Sequence, residues 1–339
     1  MAAPTGASRI LQIHPTRRCN LRCRHCYSVS GPEERDELEA ALLRQAISDA
    51  SLEGFTVASF SGGEPLLYKP LRDLLDRAHE CGMVTTVTTN GMLLDARRLK
   101  TLAGGADLIA VSLDGVPESH NRVRANARAF EAMKSNLAGL RATGIPFGFI
   151  FTLTQYNLNE LEWVAEFALE QGAQLLQVHP LEEVGRARET MTGERPDETE
   201  SAYAFVEVAR IEELAGERMV IQLDLSDREY LIENREKFFA ETVPDDPDAL
   251  PFAELVSPVV IEPDGMVVPI EHGFARRYAL GNLREMPLDA LMARWRRESL
   301  VPFRGLCQQV FSAVTAPTEL PLFNWYESLG RMAAGRGTS

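Results

Sequence analysis

The chain has little positive charge and few thiols, and both shortages narrow what it can be. Only 35 lysines and arginines stand against 49 aspartates and glutamates, a formal net charge of −14. Broad binding to nucleic acid or to an anionic membrane needs basic surface, so neither is an expected partner, although a local basic groove stays open. No apolar run approaches the length of a membrane span, and the first nine residues lack the hydrophobic core of a signal peptide. Five cysteines in 339 residues are too few for a disulfide framework and fit a reducing compartment, so a cytoplasmic protein is expected. The remaining composition, 45% hydrophobic and 25% charged, is that of a globular chain. Its length allows one large α/β core or a main domain with a smaller one.

Three of the five cysteines nonetheless fall together, as Cys19-Asn-Leu-Arg-Cys23-Arg-His-Cys26. Three thiolates can hold three corners of a [4Fe–4S] cube and leave the fourth iron without a protein ligand. Cubes that only carry electrons normally take four cysteines, so a missing fourth points to a cofactor or substrate completing the coordination. Zinc is the rival, with His25 making a Cys3His set, but His25 and Cys26 are adjacent and tetrahedral sites usually space their ligands further apart. Free thiols are the third reading.

Strand-like and helix-like segments alternate along the first half. Strands are expected at Arg9–His14, Phe55–Phe60, Val84–Thr88, Leu108–Ser112, Phe147–Thr154 and Gln174–Val178. Helices are expected at Asp36–Glu53, Pro70–Cys81, Asp95–Ala103, Ala127–Thr143 and Leu158–Gln171, with Gly54, Gly82, Gly105, Gly144 and Gly172 at their C-terminal caps. Six strands separated by helices predict an α/β fold, a partial (β/α)6 TIM-like barrel over residues 1–190, followed by a small α+β extension over 191–339. Functional groups of such a sheet gather at the C-terminal ends of its strands.

The cysteine array, followed by the aromatic Tyr27, resembles the signature of the radical S-adenosylmethionine (SAM) superfamily. Further segments match that family in register over about residues 8–187: Ser61-Gly62-Gly63-Glu64-Pro65, Thr89-Asn90-Gly91, Ser112-Leu113-Asp114-Gly115 with His120 and Arg124, and Gly185-Arg186-Ala187. The resemblance implies that Cys19, Cys23 and Cys26 hold one [4Fe–4S] cluster whose open iron is chelated by SAM. Cleavage of SAM would then yield a 5′-deoxyadenosyl radical. Tyr27, Gly62, Gly63, Glu64, Pro65 and Asn90 are implied SAM contacts. Ser112 and Asp114 would serve the ribose or methionine end, and Arg124 the carboxylate. A flavodoxin- or ferredoxin-type reductant is implied as well.

The last third is harder to read. Glu194–Glu200 looks like a connector, Tyr203–Leu214 an amphipathic helix, Pro244–Asp248 a turn, and Val259–Ile270 a hairpin about Pro263-Asp264-Gly265. Gly281-Asn282-Leu283 then leads into the helical Leu288–Arg296. This order resembles the SPASM and twitch extensions of radical SAM maturases, except that Val268-Pro269-Ile270-Glu271-His272 stands where those carry their first auxiliary-cluster cysteine. Only Cys307 follows Cys81, so no second cluster is expected. A redox-neutral lyase or isomerase reaction is therefore expected.

A small polar metabolite is the expected substrate. The layout is similar to radical SAM enzymes of nucleoside and aminosugar antibiotic pathways, including cytosylglucuronate-type decarboxylases. Eighteen residues before Cys19 are too few for a leader-binding module, but a ribosomal-peptide maturase remains an alternative, as does a non-catalytic cluster-carrying assembly partner. His179 and Glu182, beyond the sixth strand, are candidates for handling protons. Cys307 is a candidate hydrogen-atom donor, to be weighed against burial as a small hydrophobe, and His272 reads as a surface residue.

Overall fold

The computed structural model describes residues 8–239, 246–316 and 322–335. Its first half alternates as the periodicity predicts: β1 (Ile10–Ile13), α1 (Ala40–Leu52), β2 (Val57–Phe60), α2 (Leu71–Glu80), β3 (Val84–Thr89) and α3 (Ala96–Leu102). Then come β4 (Leu108–Ser112), α4 (Pro117–Val123), α5 (Ala129–Ala142), β5 (Phe147–Leu153), α6 (Leu161–Gln171) and β6 (Leu175–Pro180). Helix α2 shows why: Leu71, Leu74, Leu75 and Ala78 fall on one face and are all buried. Strands β1 to β6 pair in parallel and in chain order, and the sheet has two free ends, so the barrel is partial. The fold is the expected α/β one. Two local differences concern the loops: α4 lies in a segment read as loop, and Gly104 rather than Gly105 takes the left-handed backbone after α3, at φ 70°.

The chain beyond residue 190 extends the same sheet at both edges. After α7 (Ala187–Thr190), α8 (Glu198–Ala215) begins inside the acidic segment read as a connector, because Asp197 and Glu200 form a capping box. It leads to β7 (Val220–Leu223), which pairs in parallel with β6. A two-residue strand β8 (Ser226–Asp227) and the short helices α9 (Arg228–Glu233), α10 (Arg235–Phe238) and α11 (Phe252–Leu255) follow. The turn expected at Pro244–Asp248 lies in part outside the described residues, which resume at 246.

Strand β9 (Val259–Ile261) pairs in parallel with β1, and β10 (Met266–Pro269) returns antiparallel to it, the expected hairpin. Strand β11 (Gly281–Asn282) adds to β10, and α12 (Leu288–Glu298), α13 (Leu300–Val314), β12 (Leu322–Phe323) and α14 (Trp325–Ala333) complete the described chain. One buried core runs from Leu11 to Ala333. Buried Arg296 of α12 grips Glu53, at the end of α1, through two hydrogen bonds of 3.1 and 2.6 Å. No described helix is long and apolar enough to cross a membrane.

Candidate active site

The three clustered cysteines lie in the long loop between β1 and α1, and that loop is tied down at its base. Arg17 N donates to Asp36 O at 2.8 Å, Leu38 N to Pro15 O at 3.0 Å and Cys19 N to Gly31 O at 3.1 Å. Arg186, in the Gly-Arg-Ala segment after β6, adds two clamps, to Cys23 O at 2.6 Å and Ser30 O at 2.8 Å. Gly185 must be glycine because a Cβ there, at φ 54°, would overlap the carbonyls of Cys26 and Tyr27. A segment expected to face the mouth thus also holds the cysteine loop in place.

The strand ends pack against this loop in the same way. A Cβ on Gly63 would overlap the Arg18 carbonyl, while the Gly63 and Glu64 amides donate to Thr16 O and Arg18 O, each at 2.9 Å. Gly63 therefore admits the Arg18 backbone, and Gly62 the α- and β-carbons of His14. Glu64 is fully buried, and its carboxylate accepts from Leu66 N at 3.2 Å, Thr89 Oγ1 at 2.8 Å and Asn90 N at 3.0 Å. It clasps the ends of β2 and β3, and Pro65 starts the short turn Pro65–Leu67 beside it. Asn90 reaches Asn20 Oδ1 at 2.8 Å and the Cys19 sulfur at 4.0 Å.

Asp114, Arg124 and Ser112 are buried at the end of β4 and the loop and helix beyond it. Arg124 Nε donates to Asp114 Oδ2 at 2.6 Å, and its Nη1 lies 3.7 Å from the Cys23 sulfur. Burial alone would raise the Asp114 carboxyl, but the charges of Arg124, His25 and His120, with the Arg124 hydrogen bond, hold it down at about 2. The two residues expected to meet SAM are also paired with each other. His120 Nδ1, on α4, accepts the Asp114 amide at 3.1 Å and fixes the turn between them.

Tyr27 stands at the exit of the cysteine loop. Its hydroxyl lies 3.2 Å from Ser61 Oγ and 3.4 Å from His14 Nε2, and its ring packs edge-on against His272. His272 is not a surface residue: it meets His14 Nδ1 at 3.3 Å and lines the main cavity. That cavity, about 810 Å³, is bordered by Tyr27, Gly185, Glu182, Glu271, His272 and Glu327 among others. Beside it His179 Nδ1 lies 2.9 Å from Asp224 Oδ2, and its Nε2 lies 3.4 Å from Glu182. Burial opposes the charge on His179, but hydrogen bonds to both carboxylates raise it well above the ordinary histidine range. Asp224 went unread because β7 did; once β7 is a strand, Asp224 follows its C-terminal end.

Cys307 is not brought to this mouth. It is 1% exposed on α13 within the main core, it is absent from the described cavity lining, and burial pushes its thiol up to about 12. The expectation of a hydrogen donor is corrected in favour of a packed hydrophobe, because the amphipathic face of α13 turns Phe303, Leu306, Cys307 and Val310 inward together.

The residues around the thiols fit an iron–sulfur cube. Among the described residues no three His, Cys, Asp or Glu converge as the ligands of one ion must. Each thiol is instead seated against its own donor, with Leu21 N at 3.4 Å from Cys19, Ser30 N at 3.3 Å from Cys26 and Arg124 near Cys23. Such donors suit separate thiolates bound to separate irons. His25 Nδ1 is buried beside them with no hydrogen-bond partner among the described residues.

Residues 13–168 match the Radical SAM superfamily. Fe-coproporphyrin III synthase of Methanosarcina barkeri is 36% identical over 160 residues, 46% of this chain and 40% of that protein. PqqA peptide cyclase of Ruegeria pomeroyi is 32% identical over 181 residues, 52% and 48% of the two chains. The chain thus spans half or less of the length of these curated relatives. Among solved structures, native anSMEcpe with bound AdoMet and Cp18Cys peptide shares the fold at a TM-score of 0.65 and 17% identity, over 94% of each chain. The cofactors of the superfamily are a [4Fe–4S] cluster and SAM. The three-cysteine loop, the clasped strand ends and the parallel strands agree with the match of residues 13–168 to the radical SAM superfamily.

Proposed function

We propose that this chain is a radical SAM enzyme that takes a hydrogen atom from a small polar metabolite and completes a redox-neutral lyase or isomerase reaction. The observation that carries the reading is the cavity of about 810 Å³ beside Tyr27 and Gly185, which touches the exit of the cysteine loop and is lined by acidic and basic side chains together with small and apolar ones. When bound, the cluster and SAM supply a carbon-centred radical able to attack an unactivated C–H bond. The chain's own residues hold and position: Arg186 and Asn90 brace the loop, and the Asp114–Arg124 pair fixes its floor against Cys23. His179 and Glu182 stand at the end of β6, where a proton can pass between them and a substrate.

The reading of a single cluster is supported by this sequence, in which Cys307 is the only cysteine after Cys81, and by its packing in the core. The extension is read as a SPASM- or twitch-like scaffold without an auxiliary cluster. Decarboxylation, epimerisation or elimination on a sugar or nucleoside suits such a site. The initiating electron is assigned to a flavodoxin- or ferredoxin-type donor. The second reading is a peptide maturase, which the similarity to a PqqA peptide cyclase and the fold shared with a peptide-bound structure favour.

Anaerobic reconstitution, iron counting and mass spectrometry of the SAM products test the proposal. 5′-Deoxyadenosine formation on reduction, increased by small polar metabolites and not by peptides, is the expected result. The reverse preference would move the reading to peptide maturation. A protein that binds the cluster and never cleaves SAM under strong reductant would be a non-catalytic assembly partner.

A further inference from the structure

Four carboxylates line the main cavity, Glu182, Glu183, Glu271 and Glu327, together with Arg188, Arg195 and Arg331. Three of the four are engaged. Glu327 pairs with Arg195 at 3.0 Å and Arg331 at 3.8 Å, Glu182 with His179 at 3.4 Å, and Glu183 accepts the Gly193 amide at 2.6 Å. No hydrogen bond or ion pair joins the Glu271 carboxyl to a described residue.

Glu271 is nonetheless built into the site. Its Oε1 fits against α14 where Gly330 leaves room, and a Cβ at that position would overlap it. The residue before it, Ile270, is buried, β-branched and held at φ 70°, a conformation such side chains rarely adopt. The other described non-glycine residues with positive φ are Val29, beyond Tyr27, and Ala125, next to Arg124. Strain of this kind persists where surrounding structure imposes it. Burial, then the nearby charges of Glu182 and Glu327, pushes the Glu271 carboxyl well above the usual carboxylate range, with His179 opposing.

We infer that the cavity takes a substrate bearing an ammonium group, with Glu271 as its counter-ion. This rests on the reading of the cavity as the substrate site. Glu327 and Glu182 already have cationic partners in Arg195, Arg331 and His179, whereas an ammonium set beside Glu271 supplies N–H donors to a carboxyl that has none. At a pH where the Glu271 carboxyl holds its proton the exchange balances as one proton: the ammonium enters with its charge, the carboxylic acid becomes a carboxylate, and its proton leaves to solvent. An amino sugar and a lysine side chain of a peptide offer the same chemistry.

Glucosamine, glucose, glucuronate and Nα-acetyl-lysine amide serve as probes, each titrated calorimetrically at millimolar concentration into the cluster-reconstituted protein in two buffers of different ionisation enthalpy. At least one amine should bind with net proton release, and glucose and glucuronate should bind about tenfold or more weakly. Glu271→Gln should remove both the amine preference and the proton release, while Glu271→Asp keeps part of each. Tighter binding of glucosamine assigns the ammonium to a small molecule, and tighter binding of the lysine amide assigns it to a peptide. The inference is overturned if glucuronate binds as well as glucosamine, if neither amine binds, or if Glu271→Gln leaves amine affinity unchanged. Iron content and melting temperature report whether each variant folds. Formation of 5′-deoxyadenosine without any probe, in the same preparation, tests SAM cleavage separately, so intact cleavage with no amine preference counts against this inference alone.

Discussion

Arg124 Nε donates to Asp114 Oδ2 at 2.6 Å, with Asp114 0% and Arg124 8% exposed. The pair lies under the cysteine loop, so two residues whose motif suggests ligand contacts also hold the floor of the site. Asp114→Asn should cost about 3–5 kcal/mol, because it strands a buried guanidinium. Arg124→Ala should cost a comparable amount and weaken SAM binding as well. Urea denaturation of both single variants and the double variant gives the coupling, and the double should cost less than the sum. Stability of Asp114→Asn within about 1 kcal/mol of the parent would mean that the pair is not a buried ion pair at all.

Replacing Cys19, Cys23 or Cys26 with alanine should reduce iron from about four per chain to near none and abolish 5′-deoxyadenosine formation, since two thiolates do not hold a cube. Iron analysis and visible absorbance read the first effect, and mass spectrometry the second. About eight irons per chain in homogeneous parent protein would sink the single-cluster assignment.

Cys307→Ala should destabilise the protein by about 1 kcal/mol, the loss from a small buried cavity, and leave SAM cleavage and product yield as they were. Thermal melts and end-point assays check both. A variant that still makes 5′-deoxyadenosine and yet forms no product would restore the thiol as hydrogen donor.

The raised His179 group predicts a pH signature in stability. A histidine whose folded value lies above its unfolded one stabilises fully below the unfolded value, about 6.5, and loses that contribution as pH rises through the folded value. His179→Gln should therefore cost most at pH near 6 and progressively less in alkaline solution. Denaturant midpoints of parent and variant across that range test it. A difference that grows with pH would show that the Asp224 and Glu182 contacts do not favour the charged ring.

Much of this protein was legible from local pattern. Apolar residues at helical spacing, as at Leu71, Leu74, Leu75 and Ala78, and short β-type runs such as Leu108–Ser112 announce their elements because each depends on neighbours a few residues away. Parallel strands joined by helices send their C-terminal ends to one side, so the cysteines, Gly63, Asn90 and Ser112 could be assigned to a common mouth from order alone. What tertiary structure decided were pairings across long sequence separations. Strand β9 reads as a hairpin arm, and only the folded chain sets Val259 beside Leu11. The commitment of Arg124 to Asp114, the burial of Cys307 and the unpartnered carboxyl of Glu271 have no local signature either. A side chain's partner is set by which elements close upon it, and that is a property of the assembled core rather than of any stretch of residues.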